Sequence, residues 1–175
     1  LYKVTEDSDT EFHKIFYDRM RQGWDEFLDL YNYFIKEYVS LIFDKKIIYQ
    51  RWPTFRVHLP NNLAVGAFHK DSEYNHPAGE VNFILPMTHM FESNTVILEQ
   101  TPNTLDFKQM ELYPGELLMF NGNNCLHGNL PNRTGLTRVS LDFRVMLKNH
   151  YDPKNNQTSM TTNKKFTLGN YYTDG

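Results

Sequence analysis

The chain has 175 residues, is 40% hydrophobic and 22% charged, and carries a formal net charge of −3. That is enough chain for one domain with a sizeable core and short for two. The weakly acidic balance excludes nucleic acid and anionic membranes as default partners. A lone cysteine, Cys125, excludes an internal disulfide and fits a reducing compartment, so a cytoplasmic location is expected. No run of about 18 apolar residues offers a membrane span. No signal-peptide core is evident either, although a start at Leu1 rather than Met leaves a missing leader open.

In chain order, the first forty-odd residues read as helix. Ser8 and Glu11 sit at capping-box spacing before Phe12, Ile15, Phe16 and Met20, and Gly23 is a natural stop. A second helix is expected over 24–43. Its apolar residues Phe27, Leu28, Tyr31, Phe34, Ile35, Tyr38, Leu41 and Ile42 recur at three and four, giving one broad buried stripe.

From Ile47 the period changes to two. Strand-like runs follow at 54–59, 63–69, 81–85, 95–100, 107–112, 116–120 and 136–147, punctuated by turn residues such as Asn61-Asn62, Pro114-Gly115 and Asn121-Gly122. Many short strands argue for a barrel or sandwich, and helices followed by strands argue for α+β layering. The expected fold is therefore α+β, mainly β, in a single domain. It has a helical cover at 1–45, a β core at 47–147 and an irregular tail at 148–175 pinned by Phe166, Tyr171 and Tyr172.

Chemistry concentrates in the β region. Along a strand, residues i and i+2 point the same way, so His69 and Asp71 can present an imidazole and a carboxylate to one point. His-x-acid alone is weak, since a chain with this many histidines and acids yields roughly one by chance. A second copy, His150-Tyr151-Asp152, has no histidine downstream and reads as chance. The first copy gains weight from His127, which follows a Pro-Gly turn and an apolar strand, and from Arg138 and Ser140 beyond it. Two histidines and one carboxylate leave three open positions on an octahedral metal, as non-haem Fe(II) oxygenases require. In the last long strand Arg138, Ser140, Asp142 and Arg144 share one face, while Val139, Leu141, Phe143, Val145 and Leu147 share the other. An arginine fork grips a carboxylate with two parallel hydrogen bonds, and a neighbouring serine adds a third.

His-x-Asp, a distal His and Arg-x-Ser about ten residues later resemble the Fe(II)/2-oxoglutarate-dependent dioxygenases. Residues 69–76, Asn82 and His127-Gly128-Asn129 look like the branch found beside sugar- and antibiotic-modifying genes, including streptomycin-biosynthesis-type oxygenases. The resemblance covers roughly 54–147 and implies a double-stranded β-helix, a jelly-roll or cupin-like barrel covered by the N-terminal helices. It implies that His69, Asp71 and His127 hold Fe(II), and that Arg138 and Ser140 bind the distal carboxylate of the cosubstrate 2-oxoglutarate. Dioxygen would be consumed with release of succinate and CO2, and a small-molecule substrate hydroxylated or otherwise oxidised.

Arg56 and Asn82 are candidates for the keto acid's metal-side carboxylate. Tyr74, His76 and Arg144 are candidates for substrate contact; Arg144, roughly 20 Å along the strand from Arg138, would alternatively pair with a glutamate. His58 reads as a plain hydrogen-bonded histidine, His13, His89 and His150 as unsupported, and Cys125 as a small packed residue. The alternatives are a cupin-like metal enzyme that does not use 2-oxoglutarate, and a non-catalytic carbohydrate-binding barrel.

Overall fold

The computed structural model describes residues 10–64 and 68–175. Helix α1 (Glu11–Arg21) is capped by Thr10, whose hydroxyl accepts from the His13 amide at 3.4 Å. Ser8 lies outside the described residues. Gly23, at φ +88°, ends the helix where a side chain would be strained. Phe16 and Met20 are buried, but Phe12 and Ile15 face outward, and His13 takes the inner position instead.

Helix α2 (Asp25–Phe34) does not run on regularly to residue 43. It passes through a π-turn over Ile35–Val39 and a 3-10 turn over Ser40–Ile42. The wider turn redirects the inner face, so Ile35 and Val39 are buried while Tyr38, Leu41 and Ile42 are exposed. Three residues of the expected stripe therefore lie on the outside.

Among the described residues nine strands follow: β1 (Ile47–Gln50), β2 (Thr54–His58), β3 (Glu80–Pro86), β4 (Val96–Glu99), β5 (Phe107–Gln109), β6 (Leu118–Phe120), β7 (His127–Asn129), β8 (Arg138–Leu147) and β9 (Tyr172–Thr173). They form two antiparallel sheets, one in the order β6-β3-β8-β1-β9 with β2 also on β8, the other β5-β4-β7. Strand β8 is the spine. β3 pairs along one of its edges; β1 and β2 divide the other, at 145–147 and 138–142. Between β1 and β2 lies Pro53, which has no amide to donate to a ladder. The architecture is thus mainly β with two helices, and among the described residues the sheets are open rather than closed into a barrel.

The two faces of β8 divide as their alternation requires. Phe143 and Val145 pack with Tyr31, Ile35, Val39 and Phe83 under α2, and Leu141 packs with Phe16 and Met20 under α1. Phe83 and Phe143 stack at 5.2 Å. The opposite face looks toward the smaller sheet. At its far end Met146 joins Ile48, Phe166, Tyr171 and Tyr172, which pins the tail as expected. No described helix is long and apolar enough to cross a membrane.

Candidate metal centre

His69 forms a single antiparallel bridge with His127, the first residue of β7. Of the strand expected over 63–69, residues 65–67 lie outside the described residues. Asp71 is not in a strand. It opens a 3-10 turn, Asp71–Tyr74, that Asn75 closes in the left-handed region at φ +68°. The turn is tied down by the Asp71 amide donating to the Gly122 carbonyl at 2.8 Å and by the Lys70 amide donating to Glu73 at 3.4 Å. His69 and Asp71 thus converge through a turn, not through strand alternation.

The convergence is close. Asp71 Oδ1 lies 3.6 Å from Nε2 of His69 and 3.6 Å from Nε2 of His127, and one donor atom from each of the three residues falls within 4.8 Å of the others. A first-row divalent metal holds such donors at about 2.0–2.2 Å, so adjacent octahedral donors stand roughly 3 Å apart. Small rotations of the imidazoles would close the seat on an ion.

The electrostatics suit a cation. Nδ1 of His127 lies 3.1 Å from the Cys125 carbonyl and donates to it, which leaves the Nε2 lone pair for the metal. Burial pushes His127 down to about 4, with opposing help from Asp71, so the ring is neutral at pH 7. Burial alone would raise Asp71, but Arg144 and the hydrogen bonds from His69 and Arg144 overcome it and hold the carboxyl well below the usual range.

The other oxygen of Asp71 is fully engaged. Oδ2 accepts from Asn82 Nδ2 at 2.6 Å and from Nε and Nη2 of Arg144, both at 2.8 Å. Asn82 Oδ1 is buried with no hydrogen bond, an orphaned acceptor beside the ligand set. Two imidazoles, one ionised carboxylate and this acceptor fit a hard or borderline divalent ion.

A buried network stands behind Arg144. Its Nε is 3.8 Å from Glu80, and Nη1 donates to the Tyr171 hydroxyl at 3.3 Å. Glu80 also meets His76 Nδ1 at 2.6 Å and accepts from the Tyr172 hydroxyl. Burial, reinforced by Glu80, raises the Tyr172 phenol well above its ordinary value, so it remains a donor. His76 packs against Phe166 and Tyr171 and lies outside the cavity lining. Tyr74 sits edge-on to His69 at 5.0 Å.

A cavity opens between the sheets, lined by Arg56, His69, Asn82, Phe120, His127, Asp142 and Arg144 among others. Arg56 Nε pairs with Asp142 Oδ2 at 3.1 Å. Asp142 Oδ1 accepts from Ser140 Oγ at 2.9 Å, and Arg138 Nη1 reaches Ser140 Oγ at 3.2 Å. Arg138 and Ser140 are fully buried and lie outside the cavity lining.

Three other histidines, His58, His13 and His89, are accounted for locally. His58 sits between the Asn94 and Asn62 carbonyls, as read from its strand position, and burial and then Arg138 push it down to about 4. His13 meets the Thr10 hydroxyl at 2.7 Å and His89 meets Glu111 at 3.0 Å, partners the sequence did not suggest. Sequence reasoning missed Glu80, Tyr171, Tyr172 and Asp142 as parts of the site, and the grip of Arg144 and Asn82 on Asp71. The signal available for Glu80 was an acid opening a strand whose other residues, Asn82 apart, are apolar.

No family model matches the chain. Over 166 residues it is 35% identical to the streptomycin biosynthesis protein StrG of Streptomyces griseus, covering 95% of this chain and 77% of that protein. The chain belongs to the StrG family. Among solved structures, this StrG-family chain is similar to the non-haem monooxygenase ThoJ. The apo form aligns with a TM-score of 0.54 at 13% identity, over 65% of this chain and 51% of ThoJ. The ThoJ–nickel complex aligns with a TM-score of 0.52 at 14% identity, over 65% and 49%. The alignment spans about half of ThoJ and at this identity establishes a shared fold.

Proposed function

We propose that this chain is an Fe(II)- and 2-oxoglutarate-dependent oxygenase acting on a small polar, sugar-like molecule, most simply by hydroxylation with release of succinate and CO2. The observation that carries the reading is the convergence of His69, Asp71 and His127 on one point, with the carboxylate ionised and His127 neutral. Support comes from the relatives: StrG is named for streptomycin biosynthesis, and ThoJ is a non-haem monooxygenase with a nickel complex. Iron held there would activate dioxygen and couple it to decarboxylation of the keto acid. The fold is then a double-stranded β-helix in one domain, its two open sheets forming the halves of the jelly roll.

The protein's own part is to bind, orient and exclude water. Arg138, assisted by Ser140, would take the distal carboxylate as a buried fork. Asn82 and Arg56, both on the cavity wall, are the contacts proposed for the keto acid's metal-side end. The polar wall of Arg56, Asn82 and Asp142 suits hydroxylated or charged substrates better than lipids. Tyr74, against His69, is the proposed substrate contact nearest the ligands.

One observation favours a second reading, a cupin-like metal enzyme that does not use 2-oxoglutarate. The Ser140 proton is committed to Asp142, and Arg138 lies outside the cavity lining. Anaerobic addition of Fe(II) and 2-oxoglutarate separates the two. The first reading expects a weak visible charge-transfer band and, once oxygen is admitted, succinate; iron-loaded protein that fails to bind the keto acid supports the second. Arg138→Ala should raise the 2-oxoglutarate requirement far more than it weakens iron binding, and equal damage to both would make Arg138 structural.

A further inference from the structure

Asp71 has two oxygens in different environments. Oδ1 faces both imidazoles at 3.6 Å. Oδ2 receives three donors: Asn82 Nδ2, Arg144 Nε and Arg144 Nη2, at 2.6, 2.8 and 2.8 Å. An sp2 carboxylate oxygen offers two lone pairs, so Oδ2 has none left for a cation. Arg144 is half-buried on the cavity wall and is tethered on its other side. The Tyr171 hydroxyl holds its Nη1 from the tail, and Glu80 stands 3.8 Å from its Nε.

We infer that Arg144 is a positioning residue that holds Asp71 to one-oxygen coordination, so that three positions on a six-coordinate metal stay open to exogenous ligands. This rests on the reading of His69, Asp71 and His127 as a metal centre. A carboxylate free at both oxygens can chelate, as carboxylates do on divalent ions. That would fill a position which a two-point cosubstrate and a third ligand together require. The guanidinium prevents it by converging two charged N–H donors on the second oxygen, a geometry that a neutral amide cannot reproduce.

The test loads the purified chain with Mn(II) alone and measures water-proton relaxation, which scales with the number of exchangeable waters on the bound ion. The wild type should carry three waters. Arg144→Gln should release Oδ2, leave two waters and lower the bound-ion relaxivity by about a third, since one of three open octahedral sites is lost. Arg144→Lys, which keeps a cation beside Oδ2, should restore the wild-type value. His89→Gln, at a residue paired with Glu111 away from the site, should leave it unchanged. A purely structural Arg144 would alter melting behaviour without altering the water count. Two waters on wild-type protein, or three on folded Arg144→Gln, overturns the inference; if Arg144→Gln does not fold, the wild-type count decides. Failure of the wild type to bind Mn(II) at all is a different result and removes the metal-centre reading beneath it.

Discussion

Asp71 could be picked out from His69-Lys70-Asp71 and the later His127 because metal ligands leave a spacing signature. Its supports leave none. Arg144 is 73 residues away, and strand alternation assigns it a face without saying what it meets there. Asn82 was read as a cosubstrate contact on a strand, but its first partner is the Asp71 carboxylate itself. Asp71→Ala should abolish specific binding of divalent metal, measured by anaerobic titration, while the fold persists by circular dichroism. Gly122 gives a subtler test. A Cβ there would stand 2.6–2.8 Å from the Asn82 side chain, so Gly122→Ala must displace Asn82. Loss of such a ligand support typically weakens metal affinity by about 10–100-fold, and titration of the alanine variant should fall in that range.

Strand β8 joins site to core because period two puts guanidinium, hydroxyl and carboxylate groups on one side and Phe143 and Val145 on the other. This division was readable in the sequence and the packing follows it. Phe143→Ala should cost about 3–5 kcal/mol, the usual range for a large buried aromatic, seen as a lower denaturant midpoint. The helix over 24–43 was less legible. Apolar spacing at three and four does not encode a π-turn followed by a 3-10 turn, and the outward Tyr38, Leu41 and Ile42 lie in those two turns. The tail was legible as an anchor but not as a participant, because hydroxyls that meet a buried carboxylate in space look like ordinary tyrosines in sequence. Tyr172→Phe removes the donor to Glu80 and leaves a buried carboxylate short of a partner; about 1–3 kcal/mol should be lost, read by thermal melting.

For the molecule as a whole, buried neutral histidines should make stability depend on pH in the mildly acid range. His58 and His127 are held near 4, below their ordinary 6.5. Between those values the unfolded chain binds more protons than the folded one, so stability rises with pH across that window and is lost as pH falls from about 6.5 toward 4. Urea midpoints of metal-free protein should therefore drop between pH 7 and pH 5, and His58→Gln should flatten the slope. Metal binding should add stability by mass action, about 2.7 kcal/mol at a hundredfold excess over Kd, and a chelator should reverse the gain in a melting scan.

The bonds that complete the centre close very long loops: 73 residues between Arg144 and Asp71, 92 between Tyr172 and Glu80, 121 between Tyr171 and Gln50. Loops of that length close slowly, after local structure has formed. An ion met during synthesis encounters scattered single ligands with little hold on it. On the metal-centre reading proposed above, selection among metals therefore falls to the finished fold rather than to the nascent chain.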